Sequence, residues 1–145
     1  MGAPSGVVSG PVAANSIPNC AGTNIGDYYT GNVDVSLVSP AFFIPEESGA
    51  TLSYRQLIDT DAGGDFGSVR VLNADLGDAP IAGLEITNIE GLGVVWNLET
   101  LNMPSSLVGG KNIKVEFRFQ SDDGDVPDDD VWAGFYIDDV LVELD

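Results

Sequence analysis

The chain has 145 residues, of which 43% are hydrophobic, and its net charge is −18 at pH 7. This length predicts one domain with a single core, and the hydrophobic content is too high for a disordered chain. The charge comes from 23 Asp and Glu against 5 Lys and Arg, which excludes nucleic acids and anionic membrane surfaces as partners. We also expect no membrane insertion, because no apolar run is long enough to span a bilayer.

The chain contains no histidine, and Cys20 is its only cysteine. It therefore lacks the residues for Ser-His-Asp or Cys-His catalysis, for an internal disulfide, and for the usual zinc sites. Paired carboxylates serve glycosidases, but nothing in the sequence marks two of them as facing a cleft. We therefore predict that the chain is not an enzyme.

Residues 1–24 carry little strand pattern, and we predict a linker or an edge strand there, followed by one domain over residues 25–145. Eight short strands separated by turn signals predict an all-β fold, an antiparallel two-sheet β-sandwich with jelly-roll topology. Ser39-Pro40 lies in an otherwise good strand pattern, so that strand should lie at a sheet edge or bend there. The predicted strands are Val33–Val38, Ala41–Ile44, Thr51–Ile58, Gly67–Asn73, Leu84–Ile89, Gly93–Leu101, Asn112–Gln120 and Trp132–Leu144.

The last two strands have the strongest patterns. In the first of them Ile113, Val115, Phe117 and Phe119 alternate with polar residues, which is typical of a half-buried strand. In the second, the apolar residues change phase near Asp138-Asp139. Either packed layers cover both faces of this strand, or a β-bulge switches its phase, and both options predict an enclosed carboxylate.

Several segments together resemble the MAM-like jelly-roll modules, with a concanavalin-like β-sandwich, of secreted and cell-surface bacterial proteins. This group is similar to the adhesin domains associated with bacterial proteases. The resemblance implies a non-catalytic module for attachment, recognition or positioning, often with a structural calcium ion. The segments that carry it are Asp27-Tyr-Tyr-Thr-Gly31, Leu37-Val-Ser-Pro-Ala-Phe42, Thr51-Leu-Ser-Tyr-Arg-Gln-Leu-Ile-Asp-Thr-Asp61, Phe117-Arg-Phe-Gln-Ser-Asp122 and Phe135-Tyr-Ile-Asp-Asp-Val140.

Four aspartates are the candidate ligands for a structural Ca²⁺, namely Asp59, Asp61, Asp138 and Asp139. Oxygen ligands suit Ca²⁺, and carboxylates brought close together repel one another unless a cation or a proton intervenes. An EF-hand is excluded, since Arg70 occupies the position that requires a bidentate Glu. The alternative is that one aspartate accepts backbone hydrogen bonds at a bulge while another is solvated.

A possible ligand face comprises Trp132 with Asp123, Asp125 and Asp128. Exposed aromatic rings stack on sugars, and nearby carboxylates hold hydroxyl groups. The acidic loop 122–130 has two other interpretations, a solvated hairpin loop or a second, weak cation site. Trp96 is expected to pack in the core.

We therefore expect a non-catalytic attachment or structural module of a larger secreted or cell-surface protein. Its expected partners are other domains of the same polypeptide, and either a polysaccharide or a cell-surface protein. The alternative is a carbohydrate-binding module that uses the Trp132 face.

Overall fold

The described residues form nine strands, one short helix and one 3-10 turn. The computed structural model describes residues 1–4, 10–61, 63–93, 95–122 and 132–145. The strands are β1 (Ala21–Gly22), β2 (Asp34–Val38), β3 (Phe42–Ile44), β4 (Ala50–Asp59), β5 (Phe66–Asn73), β6 (Ala79–Ile89), β7 (Asn97–Met103), β8 (Lys111–Gln120) and β9 (Gly134–Leu144). The 3-10 turn is Ala74–Leu76, and α1 is Ser105–Val108.

Two antiparallel sheets form a β-sandwich with jelly-roll topology. One sheet has the order β1-β9-β4-β7, and the other has the order β2-β8-β5-β6 with β3 also paired to β8. The chain crosses repeatedly between the sheets, with β4, β7 and β9 in the first and β5, β6 and β8 in the second, as two interlocked Greek keys require. The predicted fold class is confirmed. No helix in the described ranges is long and apolar enough to cross a membrane.

The main core lies between the sheets. It is built from every second residue of the strands in both sheets, those that face inward. Ile113, Val115, Phe117 and Phe119 of β8 are all buried there, as predicted from their period of two. Leu52 and Tyr54 of β4 approach them from the other sheet, and the Tyr54 and Phe117 rings meet edge to face with centroids 5.1 Å apart.

β9 contains a bulge, which is one of the two arrangements predicted for this strand. Ser53 pairs with Leu141 and Arg55 pairs with Asp138, so one residue of β4 faces two of β9, and Asp139 adopts a positive φ of 49°. The bulge shifts the strand phase, which keeps Ile137 and Val142 on the core side. The expected enclosed carboxylate is absent at this position, because Asp139 is exposed and Asp138 is only half-buried.

A second apolar cluster covers the outer face of the first sheet. Leu57 and Tyr136 face away from the main core and are buried beneath Ala14 and Cys20 of the N-terminal segment. Trp96 packs against this cluster and donates a hydrogen bond to the Ala13 carbonyl, at 3.1 Å. Trp96 precedes β7 and is half-buried, so it packs on the outer cluster and not in the core between the sheets, as had been predicted.

Two buried tyrosines of this sheet differ in whether the hydroxyl has a partner. Tyr136 donates to the Asn24 carbonyl at 2.8 Å, whereas the Tyr54 hydroxyl is buried and has no hydrogen-bond partner among the described residues. We expect Tyr136→Phe to lower the free energy of unfolding by about 1 kcal/mol and Tyr54→Phe to leave it unchanged or raise it by a similar amount. Urea unfolding measures both values. Equal destabilisation by the two substitutions would contradict the conclusion that only the Tyr136 hydroxyl forms a stabilising hydrogen bond.

Burial also affects the alkaline limit of stability. It raises the pKa of Tyr136 to about 12 and raises the pKa of Tyr29 and Tyr54 well above the usual value. The stability that comes from keeping these phenols neutral is fully present below about pH 10, the unfolded pKa, and is lost as the pH rises through the folded values. We expect lower stability at about pH 11 than at about pH 9. Phenolate absorbance should then rise together with unfolding rather than before it.

Candidate functional site

An apolar groove opens between the two sheets along one side of the sandwich. Val35 and Leu37 of β2 form one wall, and Ile137 and Val140 of β9 form the other. The groove comprises two adjoining cavities of about 210 and 230 Å³. Its floor consists of three phenylalanine rings, Phe117, Phe119 and Phe135. We call this site the edge groove.

The groove is open because one strand that would cover it is very short. β1 pairs only with Tyr136 and Ile137, so β9 has no strand on that side from Asp138 onward among the described residues. Opposite it, β2 is the edge strand of its sheet, which confirms the prediction made from Ser39-Pro40.

Large apolar side chains are exposed along both walls. Val35 and Leu37 lie opposite the buried Phe119 and Phe117 on the inward face of their sheet, yet they are 45% and 42% exposed. Val140 on the other wall is 47% exposed. Contiguous exposed apolar surface of this kind marks an interaction site more often than scattered single residues do.

The charged side chains that line the groove are both acidic. Asp138 and Asp139 stand at its β9 end, and no lysine or arginine lines either cavity in the described part of the chain. Asp139 accepts a hydrogen bond from the Asn15 amide at 2.6 Å, and Asp138 accepts one from the Ser16 backbone N–H at 2.8 Å. Hydrogen bonds from Ser16 and Asn15 lower the pKa of Asp139, so it is ionised at neutral pH.

The four predicted calcium ligands lie at two levels of the first sheet. Asp59 pairs with Gly134, whereas Asp138 pairs with Arg55, so the two aspartates are four residues apart, about 13 Å along the strand. The buried Tyr136 lies between them in the ladder. The described residues contain no group of three or more side chains able to hold a metal ion. Calcium binding stays a prediction.

The carboxylates of Asp59, Asp138 and Asp139 each accept a hydrogen bond from a protein donor. Asp59 is buried and accepts the Ala133 N–H at 3.0 Å. Asp61 is exposed, and its backbone N–H donates to the Tyr29 hydroxyl at 3.2 Å. Asp138 and Asp139 instead hold the N-terminal segment against the outer face of the sheet, through Asn15 and Ser16.

Asp65, which was not among the predicted site residues, has a buried carboxylate at the end of the sandwich that carries Asp59 and Asp61. Asp65 accepts the Tyr29 hydroxyl at 2.5 Å through one oxygen and the Asp122 N–H at 2.9 Å through the other. It therefore joins three segments that are distant in sequence. The Tyr29 ring packs edge to face on Phe119, with centroids 4.9 Å apart, which connects this end to the floor of the edge groove.

The predicted ligand face is described only in part. Trp132 is half-buried rather than a fully exposed platform, while Asp123, Asp125 and Asp128 lie outside the described residues. Carbohydrate binding through this face therefore stays a prediction.

Sequence reasoning did not find the edge groove. The pattern of Asp34–Val38 identifies a strand with Val35 and Leu37 on one face. It does not reveal that the facing sheet leaves them uncovered. The available signal was Ser39-Pro40, which predicted an edge strand.

Comparison with known proteins gives only distant structural similarity. No protein family model and no curated protein matches the chain. A cleaved adhesin domain of Lys-gingipain from Porphyromonas gingivalis W83 is 20% identical with a TM-score of 0.48, and the alignment covers 81% of this chain and 70% of that one. A second cleaved adhesin domain of Lys-gingipain is 19% identical with a TM-score of 0.45, covering 77% and 64%.

A third structure, of infectious bursal disease virus Gx strain, is 15% identical with a TM-score of 0.43 and covers 82% of this chain and 27% of that chain. At these identities and TM-scores the similarities assign neither a family nor a function to the chain. The jelly-roll description follows from its own strand order.

Proposed function

We propose that the chain is a non-catalytic attachment or structural module of a larger secreted or cell-surface protein, and that the edge groove is its contact surface. The single observation that carries the proposal is the exposed apolar surface on both walls of the groove, from Val35 and Leu37 on one wall and Val140 on the other. Covering these side chains would remove apolar surface from water, which is the main favourable contribution to most protein association. The absence of histidine and the burial of Cys20, whose pKa is raised, agree with a module without catalysis.

The proposed partners are other domains of the same polypeptide, or a protein or polysaccharide at a cell surface. The strongly negative surface keeps such a module soluble and limits self-association. It also favours partners that carry positive charge near the contact.

An adhesion assay tests this function. Fluorescent beads carrying the chain are applied to films of polysaccharides and of acidic, neutral and basic proteins. Beads carrying Leu37→Glu serve as the groove variant, and beads carrying Glu85→Gln, at an exposed position on the far edge strand, serve as the matched surface control. We expect adhesion to at least one film, and we expect Leu37→Glu to abolish it while Glu85→Gln has no effect.

Two outcomes would contradict the proposal. If no film retains the beads, the chain does not act in attachment. Retention that Leu37→Glu leaves unchanged would exclude the edge groove. Binding to a polysaccharide that is lost with Trp132→Ala instead would favour the carbohydrate-binding alternative.

We further propose weak calcium binding at the end of the sandwich that carries Asp59 and Asp61. Asp59, Asp61 and Asp65 occur within seven residues, and the Asp122 carboxylate lies directly against Gly64 in the same loop. Carboxylates at this density repel one another, so a bound cation would stabilise the fold. Asp138 and Asp139 stand apart from this end.

Calcium at about ten times its Kd should raise the free energy of unfolding by roughly 1.4 kcal/mol relative to NaCl of equal ionic strength. The expected rise in Tm is roughly 3–6 °C. Asp61→Ala should abolish the rise in Tm that calcium gives over NaCl, whereas Asp139→Ala should retain this rise. Identical melting curves in the two salts would exclude a specific site, and loss of the effect with Asp139→Ala would restore the predicted four-aspartate set.

A further inference from the structure

The open edge of β2 has unused backbone hydrogen-bonding groups. Ser121 donates its N–H to Val33 O, and Ser39 donates its N–H to Val115 O, each at 2.9 Å. These bonds fix the ladder with β8, in which hydrogen-bonded pairs alternate with non-bonded pairs. The N–H and C=O groups of Val35 and Leu37 therefore point toward β8, and those of Asp34, Ser36 and Val38 point away from the sheet.

These outward groups have no backbone partner among the described residues. The side chains around them are engaged, since Asp34 accepts two hydrogen bonds from Arg118 and Ser36 donates to Glu116. Proline and lysine on an edge strand commonly prevent the addition of another strand. Neither residue occurs between Asp34 and Val38. The apolar groove lies directly beside it.

We propose that β2 accepts an extended peptide strand from a partner protein, with apolar residues alternating with basic ones. This inference rests on the proposed function, because it names the occupant of the edge groove. An added antiparallel strand would extend the β2-β8-β5-β6 sheet, and its apolar side chains would lie beside Val35 and Leu37 and cover the groove toward Ile137 and Val140. Main-chain hydrogen bonds would supply affinity, and the groove would select the alternate side chains.

Charge complementarity identifies the partner as basic. Asp34, on the open edge and on the face away from the groove, presents a carboxylate that is 54% exposed, and the whole chain carries −18. A second copy of the chain would bring a further −18 to the same contact, so self-pairing across this edge is disfavoured. A basic strand would be attracted by the same field.

The strand register predicts which peptide groups take part. Residues directly opposite each other in an antiparallel pair place their side chains on the same face. The outward N–H and C=O groups belong to Asp34, Ser36 and Val38, whose side chains face away from the groove. Their partners are therefore the basic residues of the peptide, while its apolar residues face Val35 and Leu37.

The probe is a fluorescent nine-residue peptide of alternating valine and lysine, and its binding is measured by anisotropy. We expect saturable binding that weakens about tenfold between about 50 and 500 mM NaCl. A peptide of alternating valine and glutamate should not bind. A valine–lysine peptide of the same composition without the alternation should bind at least tenfold more weakly.

N-methylation of the peptide separates strand addition from charge attraction without changing the protein. Methylating the lysine backbone nitrogens should abolish binding, because these groups face β2. Methylating the valine nitrogens should change the Kd less than threefold, because these groups face solvent. Equal effects of the two methylations would overturn the proposal.

A matched pair of protein variants gives a second test. Val38→Pro removes one outward N–H from the edge while leaving the ladder with β8 intact, and we expect about tenfold weaker binding. Val38→Ala shortens the side chain but keeps the N–H, and it should bind the valine–lysine peptide with the same Kd as the original chain. Equal binding by the two variants would overturn strand addition at β2. Adhesion lost with Leu37→Glu would then still support the proposed function.

Sedimentation at several protein concentrations tests the competing occupant. We expect a monomer. A dimer that Val38→Pro dissociates would assign the edge to a second copy of the chain and overturn the basic partner.

Discussion

Replacing Asp65 with alanine is expected to lower the free energy of unfolding by about 3–4 kcal/mol, although this residue is in a loop. Its buried carboxylate accepts the Tyr29 hydroxyl and the Asp122 N–H. Hydrogen bonds to charged groups contribute about 1.5–3 kcal/mol each, and removing the acceptor breaks both of these bonds. The loss should exceed that of any substitution at the neighbouring exposed carboxylates.

Asp61→Ala is the matched control, because the Asp61 side chain is exposed and only its backbone N–H contacts Tyr29. In a chelating buffer we expect this control to lie within about 0.5 kcal/mol of the original chain. Tyr29→Phe should lose part of the stability that Asp65→Ala loses. The variant with both substitutions should lose less than the sum of the two separate losses, because the two residues share one hydrogen bond. Urea unfolding followed by tryptophan fluorescence measures the four variants and the original chain. Similar losses for Asp65→Ala and Asp61→Ala would contradict the role assigned to Asp65.

The strands with a strong alternating pattern could be predicted from the sequence. Asn112–Gln120 was expected and Lys111–Gln120 is observed, because apolar residues at every second position specify the buried face directly. β1 is an edge strand within residues 1–24, where a linker or an edge strand was predicted, but its bounds could not be predicted because two residues carry no period. β6 begins at Ala79, five residues before its predicted start, because an edge strand with two register shifts tolerates Pro80.

The candidate site was harder to predict, because it depends on relations between strands. The phase change at Asp138-Asp139 predicted either a bulge or packed layers on both faces of the strand, and the bulge is observed. Grouping Asp59 with Asp138 required the register between β4 and β9, which places Gly134 opposite Asp59. The edge groove depends on β1 being shorter than the strands around it. None of these registers is encoded in the local pattern of one segment.

Replacing Arg70 with alanine is the second substitution from which we expect a large effect, a loss of about 3 kcal/mol and roughly 10 °C in Tm. Arg70 binds Glu116 through its Nε at 2.7 Å and through a terminal nitrogen at 2.5 Å. The Glu116 side chain is only 10% exposed, and its other oxygen accepts the Ser36 hydroxyl at 2.8 Å. Without Arg70, the Glu116 carboxylate would remain largely desolvated and would have no cation beside it. Glu116 also binds Ser36, so it helps to hold the edge strand β2.

Arg118 provides the matched control on the same face of the sheet. It forms a comparable two-point contact with Asp34, at 2.8 and 2.6 Å, but the Asp34 side chain is 54% exposed. Exposed ion pairs contribute about 0–1 kcal/mol, so Arg118→Ala should be mild. Adding Glu116→Gln to the Arg70→Ala variant removes the unpaired charge and should restore more than half of the lost stability. If Arg70→Ala is no more destabilising than Arg118→Ala, burial of Glu116 does not determine the strength of this contact, and the β2 edge is held by its ladder with β8 alone.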